Sequence, residues 1–172
     1  MLKVSIIACV SLSFACVAAK EQYPKYISIT FDDVPIHGEF TLPAQSLKEI
    51  NQQLLDTLKK YKIEATGFVN EGHLKNDRKL LQSLLSDWHK HGHNLGNHTF
   101  SHISYHQTDL DSYLADIQKG ATTTQTVLGD QQQKFFRPPY LHAGDTAEKQ
   151  QMLERGLEKL GLRLVPVTME NA

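Results

Sequence analysis

Apolar residues in this chain follow two periods in turn, and that alternation restricts its fold more than any other feature. Short runs rich in β-branched and aromatic residues read as buried strands, and each is followed by a longer stretch with apolar residues every three or four positions. The first run is Tyr26 to Phe31, YISITF, ending at Asp32 and Asp33. Leu47, Ile50, Leu54, Leu58 and Tyr61 then predict a helix, with Pro43 near its start, where a missing N–H costs little. Ala65 to Val69 reads as a second strand, and Leu80, Leu81, Leu84, Leu85 and Trp88 as the stripe of a second helix N-capped by Asp77. A short third strand, Asn94 to Asn97, runs into HTFSH at His98 to His102. Leu110, Leu114, Ile117, Ala121 and Leu128 predict one third helix, opened by Thr108 with Asp111 three residues on. Phe135 and Phe136 begin a fourth strand that Pro138 and Pro139 end. A fourth helix from Ala147 to Leu160 stops at Gly161, and Leu164 to Thr168 forms a fifth strand.

Strand and helix thus recur at intervals of roughly 25 to 35 residues, the pattern of parallel βα units, and an α/β fold is expected. In a parallel barrel the working residues sit where strands lead into helices. That rule gathers Asp32, Asp33, His98 and Arg137 at one end of the sheet.

With 172 residues the chain has the length of one domain. Its 18 Lys and Arg nearly balance 19 Asp and Glu, leaving no bulk field to attract nucleic acid or anionic lipid. Lys3, the apolar run Val4 to Val17, and Ala18 and Ala19 ahead of Lys20 form a secretory signal peptide, residues 1–19, placing the mature protein outside the cytoplasm, secreted or periplasmic. The run is too short to span a membrane, and no second hydrophobic segment follows. A lipoprotein signal on Cys16 is the alternative, with Ser13 and Phe14 poorly suited ahead of it. Cys9 and Cys16 both lie in the leader, so the mature domain, 20–172, is expected to carry neither thiol nor disulfide.

Two adjacent carboxylates at the end of a buried strand repel each other, and a cation relieves that cost. His98 and His102, four apart, would share one face of a helical turn, and with one aspartate they form a two-histidine, one-carboxylate set with coordination positions left open. That set suits zinc and also non-haem iron. His89, His91 and His93 read instead as a solvated helix end and loop. In Arg137-Pro138-Pro139-Tyr140 two prolines fix the backbone, so that the N–H of Tyr140 could face a developing oxyanion. His142 and Asp145 read as loop residues.

TFDD at Thr30 to Asp33, HTFSH at His98 to His102 and RPPY at Arg137 to Tyr140, in this order, resemble the first three motifs of the NodB-homology polysaccharide deacetylases, carbohydrate esterase family four. ATGFV at Ala65 to Val69 looks like that family's second strand. The resemblance implies a distorted (β/α) barrel and a divalent metal, foremost Zn2+, held by Asp33, His98 and His102. It further implies Asp32 as general base, Arg137 as the residue orienting it, and the Tyr140 N–H as an oxyanion donor.

The implied reaction is removal of N-acetyl groups from an amino-sugar polymer such as chitin oligomers or peptidoglycan. Water made more acidic by the ion gives its proton to Asp32 and attacks the amide carbonyl. Val34-Pro35 stands where the family often has Gly-Pro, and this leaves the substrate open. The family's later tryptophan–aspartate and Leu-x-x-His motifs, the second carrying the catalytic acid, do not appear before Ala172. The expectation is therefore a C-terminally truncated domain of low activity, in which His37 and His142 have a proton donor's chemistry without a motif. The rival readings are an O-acetyl esterase or other amidase of the same superfamily, and a non-catalytic secreted protein that binds metal or glycan.

Overall fold

The computed structural model describes residues 26–36 and 42–169. The expected leader, residues 1–19, and His37 lie outside the described residues. Five strands form one parallel sheet in the order β1 (Ile29–Val34), β2 (Ala65–Val69), β3 (Asn94–Asn97), β4 (Phe135–Phe136) and β5 (Arg163–Leu164). Each strand neighbours the next in sequence, the arrangement of an arc of βα units rather than a doubly wound sheet. The arc is open: β1 and β5 are its two edges among the described residues.

The crossover helices are α1 (Ala44–Tyr61), α2 (Arg78–Lys90), α3 (Leu110–Lys119), α4 (Thr122–Leu128) and α5 (Ala147–Lys159). One core cluster gathers Leu55 and Leu58 of α1, Leu81, Leu85 and Trp88 of α2, and Val34, Ala65, Val69 and Leu95 of the strands. A second gathers Tyr113 and Ile117 of α3, Leu153 and Leu157 of α5, and Phe136 of β4. Burying a side chain of this size contributes about 1.5–3 kcal/mol, so these clusters anchor the helices to the sheet.

Several local expectations are corrected. The first strand begins at Ile29, with Tyr26 and Ile27 exposed, and runs through the two aspartates to Val34. The buried stripe of α1 is Leu47, Asn51, Leu55 and Leu58, whereas Ile50 and Tyr61 face solvent. Spacings of three and four both fit a helix, and the choice follows from Asn51. Its Oδ1 accepts from Trp88 Nε1 at 2.7 Å, drawing a polar residue into the interface.

The single third helix is two, α3 and α4, parted at Gly120 and Ala121. Asp109, not Thr108, caps α3, accepting from Ser112 N at 2.9 Å, while the Thr108 hydroxyl donates to the Ser104 carbonyl. The fifth strand is two residues, Arg163–Leu164, rather than Leu164 to Thr168. The Asp77 cap is present, and Gly161 takes the left-handed conformation that ends the last helix, φ 71°.

Candidate functional site

Alternation along a strand would send Asp32 and Asp33 to opposite faces. A β-bulge prevents this. Phe31 pairs with Gly67 and Val34 with Val69, so three steps on β1 oppose two on β2, and Asp33 takes a left-handed conformation, φ 56°. The aspartates therefore lie within the strand rather than after it.

His98 and His102 do not lie on a helix. They are on the loop after β3, where Thr99 and His102 adopt φ 63° and 53°. Tyr140 and Leu141, after β4, are also left-handed, at φ 58° and 57°. Such backbone costs about 1–3 kcal/mol per non-glycine residue and persists where its surroundings over-determine it, commonly at functional sites.

The bulge and the loop bring His102 Nε2 to 3.2 Å and His98 Nε2 to 3.8 Å from Asp33 Oδ1. One ligand atom from each of the three residues lies within 4.8 Å of the others. Ligands about 2.0–2.1 Å from a tetrahedral ion stand roughly 3.3 Å apart, so the cluster fits one divalent ion with small adjustments. The protonation also suits it. His98 Nδ1 donates to the Arg137 carbonyl at 2.7 Å, which leaves the Nε2 lone pair toward Asp33. Burial holds the His98 pKa below the ordinary imidazole value despite Asp32 and Asp33 nearby, which favours the neutral form that a metal ligand needs.

Beside this cluster, Arg137 Nη1 donates to Asp32 Oδ1 and to Thr30 Oγ1, both at 2.7 Å. The guanidinium is buried and stacked over Phe68, 4.1 Å from the ring centroid. Asp32 keeps a third of its side chain exposed, so this carboxylate is both held and reachable. The Tyr140 ring lies edge-on to His102, centroids 4.8 Å apart, and is itself exposed.

All six residues singled out from sequence thus share the carboxyl ends of the strands. His142 is turned to Ser104, with Nδ1 2.7 Å from Oγ, and stacks on His106, centroids 3.9 Å apart. His93 departs from expectation: it is buried, and its Nδ1 accepts from Ala65 N at 3.3 Å. Trp88 and the start of β2 enclose it.

Sequence reasoning missed His73, whose Nδ1 donates to the Ile36 carbonyl at 2.7 Å with its ring 6.3 Å from that of His102. No motif marked it. A cavity of about 400 Å³ lies at the opposite end of the strands, beside His93, Asn94 and Phe135, away from this chemistry.

Fold and site together define an α/β protein with a two-histidine, one-carboxylate cluster at the carboxyl ends of a parallel sheet. Residues 19–164 match the polysaccharide deacetylase family, and the chain belongs to it. A peptidoglycan-N-acetylglucosamine deacetylase of Bacillus cereus is 31% identical over 124 residues, 72% of this chain and 38% of that protein. A chitin deacetylase of Arthroderma benhamiae is 27% identical over 72% of this chain and 30% of its own length. A crystal structure of a peptidoglycan N-acetylglucosamine deacetylase shares the fold, with a TM-score of 0.60 at 24% identity over 80% of this chain and 54% of that one. The chain spans roughly a third to a half of the length of these proteins.

Proposed function

We propose that this protein is an exported, metal-dependent hydrolase that removes N-acetyl groups from an amino-sugar polysaccharide. The observation that carries the reading is the convergence of Asp33, His98 and His102 beside a second carboxylate, Asp32, gripped by a buried arginine. One carboxylate is available to hold an ion and the other to move a proton.

In this reading Asp33, His98 and His102 hold the ion, and a two-nitrogen, one-oxygen set makes zinc the first choice. When bound, the ion supplies Lewis acidity, polarising the acyl carbonyl and acidifying water. Asp32 takes the proton of the attacking water, and Arg137 keeps its carboxylate aimed for that task. The rigid Pro138-Pro139 segment presents the Tyr140 N–H to the developing oxyanion. The named relatives act on peptidoglycan and chitin, which supports an amino-sugar polymer as substrate. The pattern of residues 1–19 supports export.

Acetate release by the zinc-loaded protein from chitin oligomers, peptidoglycan and acetylated xylan tests the reading, with Asp32→Asn alongside. Asp32-dependent release from an N-acetylated polymer is expected, at the low rate anticipated from the sequence. Release from acetylated xylan alone would replace it with an O-acetyl esterase. The mass of the secreted product tests export: retention of Met1 overturns it, and a lipid on Cys16 favours the lipoprotein.

A further inference from the structure

The loop that carries His98 and His102 has little regular structure of its own, so what fixes it must come from elsewhere. Each of its five backbone N–H groups has an acceptor. His98 N donates to the Val69 carbonyl at 2.9 Å, Thr99 N to Asn97 Oδ1 at 2.8 Å, and His102 N to Thr99 Oγ1 at 3.0 Å. The two between them, Phe100 N and Ser101 N, go to one carboxylate oxygen, Asp116 Oδ2, at 3.0 and 2.8 Å. The other oxygen, Oδ1, accepts from the Ser101 hydroxyl at 2.9 Å. Asp116 lies on α3, so these bonds tie the loop to a helix that the second core cluster anchors through Tyr113 and Ile117.

Packing reinforces the tie. A Cβ on Gly120, one residue past α3, would meet the Thr99 carbonyl carbon at 2.6 Å and Phe100 N at 2.8 Å. A Cβ on Gly72 would fall 2.0 Å from the Phe100 carbonyl oxygen. Backbone thus lies against backbone on this loop, with Lys119 Nζ 3.9 Å from the Phe100 ring centroid. Thr99 and His102 are the loop's left-handed residues, and Asp116 grips the two residues between them.

We infer that Asp116 is a positioning residue for the metal centre: its carboxylate holds the strained His98–His102 loop in the shape that aims both imidazoles at Asp33. The inference rests on the ligand set proposed above. Asp116 touches neither ion nor substrate in this role. It acts by sparing the ion the work of ordering the loop, so its removal shows in affinity, because outer partners of metal ligands commonly contribute about 10–100-fold to binding.

The test is zinc affinity of the purified chain, by competition with a chromophoric chelator, for wild type, Asp116→Ala, Asp116→Asn, His102→Ala and Leu58→Ala. Leu58→Ala leaves a cavity in the first core cluster, which includes neither α3 nor the loop, and controls for general loss of stability. Asp116→Ala is expected to bind roughly 10–100-fold more weakly, with Asp116→Asn between it and wild type and Leu58→Ala unchanged. The cobalt(II)-substituted protein supplies an independent readout, since a loosened loop alters the visible absorption of the ion. Wild-type affinity and an unaltered cobalt spectrum in Asp116→Ala would overturn the inference, as would an equal loss in Leu58→Ala. If Asp116→Ala does not fold, Asp116→Asn decides by the same criteria. Wild-type affinity in His102→Ala would instead refute the ligand set, which separates the two failures.

Discussion

Arg137 joins the two halves of the site: its guanidinium binds Asp32 while its own carbonyl oxygen, 2.7 Å from His98 Nδ1, sets the tautomer of a histidine in the proposed ligand set. Side chain and main chain of one residue therefore serve different groups, a carboxylate and an imidazole. The main-chain bond survives any substitution that leaves the backbone in place, and the side-chain bonds do not. Replacing Arg137 should then separate proton transfer from metal binding. Arg137→Lys keeps a charge but cannot reproduce the guanidinium's fixed fork of donors or its planar stacking on Phe68. It should lower kcat by about 10²-fold through a misplaced base, with zinc affinity close to wild type. Steady-state kinetics and chelator competition on the same preparation check this. Parallel loss of metal would show that the side chain also supports the ligands.

Zinc should stabilise the protein through Asp33, His98 and His102. At a free concentration about 100 times the dissociation constant, a ligand that binds only the native state adds about 2.7 kcal/mol. For a domain of this size that raises Tm by roughly 5–10 °C. Differential scanning fluorimetry with and without chelator should show the shift in wild type and none in His102→Ala. A shift that survives His102→Ala but disappears on replacing His91 would point to a surface histidine site instead.

Glu71 has a structural part that its charge conceals. It is fully buried, accepting from Thr123 N and Thr124 N at 2.8 Å, from the Thr124 hydroxyl at 3.1 Å and from Arg78 Nη1 at 2.9 Å. Helix α4 has no side-chain cap at its own N-cap residue, Ala121, so this carboxylate, distant in sequence, satisfies its first amides. Glu71→Ala should cost about 1–3 kcal/mol, as leaving buried amides without their acceptor does, and Glu71→Gln less. Urea unfolding followed by circular dichroism measures both. A loss below about 1 kcal/mol for Glu71→Ala would mean that water replaces the carboxylate at no great cost.

Acid should weaken the fold partly through His93. Burial, with His91 nearby, holds its pKa below the ordinary imidazole value, against the opposing pull of Glu64. Between the folded and unfolded values the unfolded chain binds the extra proton, so stability rises with pH there. The contribution is complete above about pH 6.5 and is lost as pH falls from there through the folded value. His93→Gln, which cannot titrate, should show a smaller drop in urea midpoint between neutral and mildly acidic pH. An unchanged drop would assign the acid sensitivity to other groups, of which buried His98 has the same sign.

The alternation of strands and helices was legible because burial of one helix face, or of a whole short strand, leaves its period in the sequence. The stripe Leu80, Leu81, Leu84, Leu85 and Trp88 is buried as its spacing requires, and β2, β3 and β4 start where their apolar runs do. The six residues proposed for the site were picked out for a different reason: their side-chain chemistry, at strand ends and in ordered motifs, marks them whatever the loop shapes between. Backbone geometry was not legible. Adjacent aspartates cannot reveal a bulge, since it depends on the register of β1 against β2, and the spacing of His98 and His102 suits a helical turn as well as the left-handed loop that forms. That loop is decided by Asp116 and by backbone packing at Gly72 and Gly120, just as the face of α1 is decided by Asn51 meeting Trp88 and the start of α4 by Glu71. Each of these partners is distant in sequence, and periodicity records only which residues are buried, not which distant group they are buried against.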